Sequence, residues 1–428
     1  MYIELEDKFN VIYPVNSNAT YSSIMNYSDD LDKPLQRWYR YKEGYSLELV
    51  NQLIKEYNRN PNGTILDPFL GSGTTLIAAN KMGLSGVGFE VNPFSYFLSK
   101  NKLRNYDIEV IKEYKEKFEA IIEISIQNKS KYPLPKLSIA EEVFDNDIED
   151  YFMTIRNNIE LYKYKHSITK ELLLLGWLST IEEVSNYRKA GNGLKRRKYV
   201  KPKKMSVQEC YEKIRDTYNK IYYDISSTNF DKEIKIYNDT SLMMDKYIKK
   251  ESISGVIFSP PYANCFDYTE IYKLELWFGE FVREYSDLKS LRSMSLRSHL
   301  NGKFEMMSDI KTSGTLELLL SELETKKLWD KRIPSMLRLY FNDMFVILEK
   351  VLSILQKDGF CSIVVGNSAY GGIIFPTDLI IAEYAESIGF LVDKIEVDRY
   401  IITSSQQYET TKVNKKYLRE SVICLVKK

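Results

Sequence analysis

Four consecutive residues, Ser259-Pro260-Pro261-Tyr262, close the short apolar run Gly255-Val256-Ile257-Phe258. Two prolines in a row fix their φ angles and supply no backbone N–H, so the chain leaves a sheet stiffly with its carbonyls unpaired. That makes a rigid acceptor edge beside an aromatic platform, suited to holding the exocyclic amino group of a flat heterocycle during group transfer. Taken alone, the four residues also fit a plain strand-ending turn. A second group, Asp67-Pro68-Phe69-Leu70-Gly71-Ser72-Gly73-Thr74-Thr75, follows the apolar Thr64-Ile65-Leu66. Gly71 and Gly73 permit a sharp turn and a close approach of backbone to ligand. The phosphate-loop pattern Gly-x-x-x-x-Gly-Lys-Ser/Thr is absent, and a dinucleotide fingerprint would need a third glycine. Asp67 has the wrong charge for a phosphate and the right one for an ammonium group. Glu90 ends the next apolar run, where a carboxylate accepts from ribose hydroxyls, although alone it reads equally as an ordinary strand-end acid. A nucleoside with a cationic amino-acid tail satisfies both carboxylates: S-adenosylmethionine.

These residues need a particular scaffold. Strand, Gly-rich turn, helix (residues 76–82) and strand (86–90) form a βαβ unit, which requires parallel strands and a right-handed crossover. Further buried strands are predicted at 234–237, 255–258 and 359–366, and a helix at 377–387. The last two apolar runs, 390–397 and 421–426, lack an intervening helix and predict an antiparallel pair at one edge of the sheet. Residues 105–229 are rich in Lys, Glu, Ile and Tyr, poor in glycine and periodic at helical spacing, and read as a mostly helical insertion. A second excursion, 283–334, carries Arg292, Arg297, His299 and Lys303.

Composition narrows the chemistry further. The 428 residues suffice for one large domain with an insertion, or for two domains. Only 2 histidines and 4 scattered cysteines are present, which leaves little from which to build a His-based triad, a zinc site or a disulfide framework. No apolar run approaches a membrane span, and residues 1–7 do not resemble a signal peptide. A reducing cytoplasm is the expected compartment.

Taken together, the Asp67–Thr75 and Ser259–Tyr262 motifs resemble the amino-methylating DNA methyltransferases of bacterial restriction–modification systems. The segment Arg37-Trp38-Tyr39-Arg40-Tyr41-Lys42-Glu43-Gly44-Tyr45-Ser46 is similar to the one that packs over the methionine end of the cofactor there. Val364-Val365-Gly366-Asn367-Ser368 and Leu418-Arg419-Glu420-Ser421-Val422 are similar to later family segments. The resemblance covers about residues 30–104 and 230–428. It implies a Rossmann-like S-adenosylmethionine-dependent methyltransferase sheet, catalytic over 1–104 and 230–428, with 105–229 as candidate DNA-recognition region. It also implies cofactor contacts from Trp38, Ser46, Asp67, Phe69, Gly71, Gly73, Thr74, Glu90 and Asp239, the last equally readable as a plain turn aspartate. Catalysis falls to Ser259, Pro260, Pro261 and Tyr262 on a base flipped from duplex DNA. Ser at the first motif position is commonest among N4-cytosine enzymes, whereas N6-adenine enzymes usually carry Asp or Asn. The carbon-5 class needs a Cys after a proline, and Cys265 follows Asn264. An RNA base methyltransferase and a catalytically dead nucleic-acid-binding relative are the other readings. A cognate restriction endonuclease is an expected companion.

The net charge of +1 hides a local run with no acidic residue, from Arg188 to Lys204. Its Arg188, Lys189, Lys195, Arg196, Arg197 and Lys198 are the candidate DNA contacts, suited to phosphates with some base readout. A charge run of this kind is otherwise an ordinary solvated face.

Overall fold

The computed structural model describes residues 2–22, 24–25, 27–42, 44–191, 193–197, 205–302, 309–401 and 412–428. Eight strands form the central sheet: β1 (Val11–Ile12), β2 (Thr64–Asp67), β3 (Ser85–Phe89), β4 (Ile234–Tyr237), β5 (Ile253–Phe258), β6 (Leu355–Gly366), β7 (Phe390–Tyr400) and β8 (Arg419–Lys427). Their spatial order is β1-β7-β8-β6-β5-β2-β3-β4. Only β8 runs against its neighbours, antiparallel to both β6 and β7. The other pairings are parallel. The predicted antiparallel pair is therefore present, but it is not the extreme edge. Two-residue β1 pairs in parallel outside β7, too short to show any sequence period.

From β2 the chain moves outward through β3 to β4, then crosses back to β5 and continues the other way. The order reverses between β2 and β5, and in open α/β sheets ligands sit outside the strand carboxyl ends at such a point. The loops after β2, β3, β4 and β5 all open there. Strand side chains alternate between two cores, as a two-residue period demands. Ile65 and Ile257 face one; Leu66, Val256 and Phe258 face the other.

The first core is covered by α1 (Leu47–Tyr57) and α2 (Thr74–Lys81), and α3 (Pro93–Lys102) leads out of the βαβ unit. Four long helices follow: α4 (Ile108–Gln127), α5 (Asn146–Leu161), α6 (Ser167–Val184) and α7 (Val207–Ser227). Their apolar faces extend the first core without a break, through Phe118, Phe152, Trp177 and Tyr218. Phe152 and Trp177 stack at 4.6 Å. Gly176 lets α6 and α7 close up, since a Cβ there would lie 2.3 Å from the Tyr218 ring. A hairpin, Tyr187–Ala190 with Gly193–Arg196, projects between α6 and α7 and carries part of the basic run. The second core is filled by α9 (Gly314–Glu324), α10 (Ile333–Ile354) and α11 (Thr377–Ser387), after α8 (Tyr285–Met294) has passed the sheet's ligand edge. Among the described residues no helix is long and apolar enough to cross a membrane.

Candidate active site

β2 ends at Asp67, which is 1% exposed. Its carboxylate accepts from Phe69 N at 2.9 Å and from the Tyr45 hydroxyl at 3.1 Å. Burial pushes its pKa up to about 6. Asp67 therefore shapes the loop from below, and the cavity above is lined by its neighbours Pro68 and Phe69. Gly71 (φ +51°) and Gly73 (φ +86°) occupy left-handed backbone, so their glycines are required by conformation. The space beside them is already filled: a Cβ at Gly71 would lie 3.1 Å from the Tyr41 ring, and one at Gly73 3.2 Å from Leu103. Gly73 caps α2 and does not line the cavity either.

The cavity at the switch point is walled by Phe69, Gly71, Ser72 and Thr74 from the β2 loop, Glu90 and Asn92 after β3, Asp239 to Ser241 after β4, and Ser259 and Pro261 after β5. Glu90 accepts from Gly71 N at 2.8 Å and from Asn92 N at 2.7 Å. Each of its oxygens thus takes one backbone donor and keeps acceptor capacity. Burial pushes Glu90 up to about 7, against the pull of those backbone donors. Asp239 accepts from Thr240 N at 2.7 Å and from the Tyr247 hydroxyl at 2.6 Å. Two carboxylates among Tyr41, Phe69, Leu291, Met294 and Leu296 suit a flat nucleoside bearing a diol, so the residues present fit the cofactor.

Several wall residues were not singled out from sequence. Tyr41 and Tyr45 lay inside a quoted segment. Asn92 had a local signal, an Asn-Pro helix start, and its side chain caps α3. Leu291, Met294 and Leu296 had none, and of the described residues named in the 283–334 excursion His299 alone lines the cavity. Instead Arg292 pairs with Asp267 at 2.9 Å and Glu270 at 2.7 Å, and Arg297 pairs with Asp343. His299 is 4% exposed, and burial holds its imidazole below the usual pKa. Lys303 lies outside the described residues.

Beyond Ser259 a second cavity opens, lined by Met25, Tyr27, Tyr262, Val364, Asp398, Arg399 and Glu420, and sharing Gly44, Tyr45 and Ser259 with the first. The Tyr262 ring lies against Gly366 at the end of β6, where a Cβ would come within 2.8 Å of it. Its hydroxyl donates to Glu420, and the Ser259 hydroxyl donates to it at 3.4 Å. Pro260 is buried beneath them.

Other expected site residues lie elsewhere. Trp38 is 1% exposed, and its indole N–H donates to Asp224 of α7 at 2.8 Å, away from the cavity. Ser46 caps α1, accepting from Leu49 N and donating its one proton to Ile24 O. Lys189 is buried among Glu182, Glu275 and the Tyr39 hydroxyl, so it is a core ion pair and cannot reach a phosphate. Arg197 donates to the carbonyls of Tyr187 and Glu182, bracing the hairpin base. Arg196 pairs with Glu142 at 2.6 Å. Arg188 and Lys195 are exposed. Lys198 lies outside the described residues.

A parallel sheet with one reversed strand, carrying this site at its switch point, is the architecture of an S-adenosylmethionine-dependent methyltransferase. Residues 8–101 match the profile of a DNA methylase family. The type II methyltransferase M.AvaI of a Nostoc species is 30% identical over 87% of this chain and 83% of its own. M.BsoBI of Geobacillus stearothermophilus is 28% identical over 92% and 86%. M.MvaI of Kocuria varians is 23% identical over 86% and 84%. The chain belongs to the type II methyltransferases, the DNA amino-methylating enzymes of bacterial restriction–modification systems. Among solved structures, the rRNA methyltransferase aviRa from Streptomyces viridochromogenes aligns over 93% of this chain and 92% of its own at 9% identity, with a TM-score of 0.30.

Proposed function

We propose that this enzyme methylates the N4 amino group of cytosine within a specific duplex sequence, protecting that sequence from a cognate endonuclease. The observation that supports this best is the meeting of two cavities at Ser259. One has the carboxylates and apolar walls for the methyl donor. The other has an aromatic platform and polar rim for a base. Glu90 receives the ribose hydroxyls, Asp239 the adenine edge, and Phe69, Gly71 and Thr74 the remaining cofactor contacts. Asp67 and Gly73 hold the loop in shape.

The bound cofactor supplies an activated sulfonium methyl. An exocyclic amino nitrogen is a poor nucleophile, because its lone pair is delocalised into the ring. Acceptors at the Ser259 hydroxyl and the Pro260 carbonyl hold its hydrogens and favour a pyramidal nitrogen. Pro261 stiffens that edge, and Tyr262 stacks on the base. Positioning nucleophile and methyl in line supplies much of the acceleration. Flipping the base costs a few kcal/mol of unstacking. Ser259 in place of Asp or Asn favours cytosine over adenine. The insertion 105–229 reads the sequence, with Arg188, Lys195 and Arg196 of its hairpin meeting the backbone.

The test is direct. Incubation with labelled S-adenosylmethionine and mixed-sequence duplex DNA, then digestion to nucleosides and mass spectrometry, should yield N4-methylcytosine. N6-methyladenine as the sole product would overturn the cytosine assignment.

A further inference from the structure

The amino group that accepts a methyl must lose a proton, and the second cavity contains a path for it. The Ser259 hydroxyl donates toward Tyr262, which leaves the serine lone pairs to accept from a base amino group. Tyr262 donates onward to Glu420 Oε1, while Glu420 Oε2 accepts from Arg399 Nε at 2.6 Å. The first two hydrogen bonds point the same way, from the cavity junction toward the β7–β8 edge, and the Arg399 bond meets them at Glu420 from the opposite side. We propose that the proton leaves through this relay, with Glu420 as its terminal acceptor. The inference rests on the base occupying the second cavity, as in the proposed function.

The step balances. The amino nitrogen forms its bond to the methyl carbon as the carbon–sulfur bond breaks, and sulfur keeps the electron pair. The nitrogen gives one N–H proton to Ser259 Oγ, the serine proton passes to the Tyr262 oxygen, and the tyrosine proton passes to Glu420. Serine and tyrosine are regenerated, and one carboxylate becomes a carboxylic acid. No oxidant, metal or covalent enzyme adduct enters.

The surroundings of Glu420 favour this role. Its register neighbours are Gly366 on β6 and Arg399 on β7, so it sits at the mouth of the cavity behind Tyr262. Among the described residues the charged and titratable groups around it are Tyr262, Arg399 and Asp398, with Glu396 further along β7. Two carboxylates, Glu420 and Asp398, face one guanidinium, Arg399, whose Nε lies 3.8 Å from Asp398. With both acids ionised the group carries an uncompensated negative charge and gains by taking one proton. Burial, with the Glu420 charge adding, pushes Asp398 up to about 7. Burial and the Glu420 charge hold Tyr262 well above the usual phenol range, so the tyrosine passes a proton on without remaining ionised. The Arg399 side chain is 63% exposed, so solvent can collect the proton afterwards.

Tyr262→Phe keeps the ring and cuts the relay; Glu420→Gln keeps the shape and removes the terminal acceptor. Each should lower the single-turnover methylation rate about 10²-fold or more, the usual contribution of a positioned proton acceptor. The double variant should be no slower than the worse single one. Cofactor affinity and the fluorescence of 2-aminopurine at the target position should stay at wild-type level, showing that the site forms and the base flips. The wild-type rate should show a solvent deuterium effect with a curved dependence on deuterium fraction, and both variants should lose the curvature. Time-resolved infrared spectra during one turnover should show a transient carboxylic acid band that Glu420→Gln lacks. A Tyr262→Phe rate within about threefold of wild type overturns the relay, and an unimpaired Glu420→Gln overturns its terminus. If the wild type itself methylates no base in DNA, the proposed function fails first.

Discussion

Glu90 shows how a single carboxylate can trade stability for ligand affinity. Its pKa of about 7 in the folded protein stands above the ordinary 4.5, and the largest cause is burial. A carboxyl raised in this way favours the folded state when protonated. Its contribution is complete below pH 4.5 and is lost as pH rises through 7, a difference of about 3 kcal/mol. Ribose hydroxyls donating to the ionised form would recover that loss on cofactor binding. Calorimetry near pH 7 in buffers of different ionisation enthalpy should therefore show proton release by the wild type, and affinity should weaken below that pH. Glu90→Gln should abolish the proton release and weaken cofactor binding at least about tenfold, because it loses charge-assisted acceptors. The same substitution has an opposite effect on the cofactor-free protein. Glutamine offers one acceptor oxygen to Gly71 N and Asn92 N, which costs about 1 kcal/mol. At pH 8 removal of the buried charge outweighs that cost, so its thermal midpoint should equal or exceed that of the wild type. At pH 5, where the wild-type side chain is already protonated, the variant should be the less stable of the two.

At the scale of elements, the turn at residues 35–38 joins the helical insertion to the cofactor cavity through one side chain. Asp224 of α7 accepts from Leu35 N at 2.7 Å, from Trp38 Nε1 at 2.8 Å and from the Arg37 guanidinium. Leu35 is held at φ +68°, a conformation that costs about 1–2 kcal/mol for a residue with a Cβ. Within that turn Gln36 donates to Thr74 Oγ1 at the cavity wall and accepts from buried Lys102. Asp224→Ala leaves two buried N–H groups and a guanidinium without their acceptor. It should cost about 2–4 kcal/mol in urea denaturation, and cofactor affinity should fall as Gln36 loses its support. Distance along the chain explains what sequence reading missed here. Trp38 lies in a segment that resembles a cofactor-binding one, yet its partner is 186 residues away and left no local trace. Lys189 belongs to a visible basic run, but Glu275, 86 residues on, draws it into the core. By contrast, β2, α2, β3 and β5 were legible because apolar runs end at glycines, prolines and acids with local meaning. Ser46 had such a meaning too: a serine opening an amphipathic run is an N-cap before it is a ligand.

For the molecule as a whole, a net charge of +1 provides no general attraction to DNA, so recognition depends on where the cations are placed. In the hairpin Arg188 and Lys195 are direct register partners, so both exposed side chains stand on one face. Like charges directly opposite across two strands repel, and folding alone gives no reason to keep them there. A phosphate between them would turn that repulsion into two attractive contacts. Each phosphate contact contributes about 0.9 to the slope of log affinity against log salt. A variant carrying Arg188→Ala and Lys195→Ala should thus bind DNA more weakly across all sequences, with a slope smaller by about 1–2. Its thermal stability should match or exceed that of the wild type, because a repulsive pair is gone. Lys189→Ala in the same hairpin should do the opposite. It leaves Glu275 buried without its cation, lowers the unfolding midpoint and leaves the salt slope unchanged. Fluorescence anisotropy over a salt series, paired with thermal melts of the three proteins, separates the two effects. An unchanged slope in the Arg188/Lys195 variant would place the DNA backbone elsewhere on the insertion.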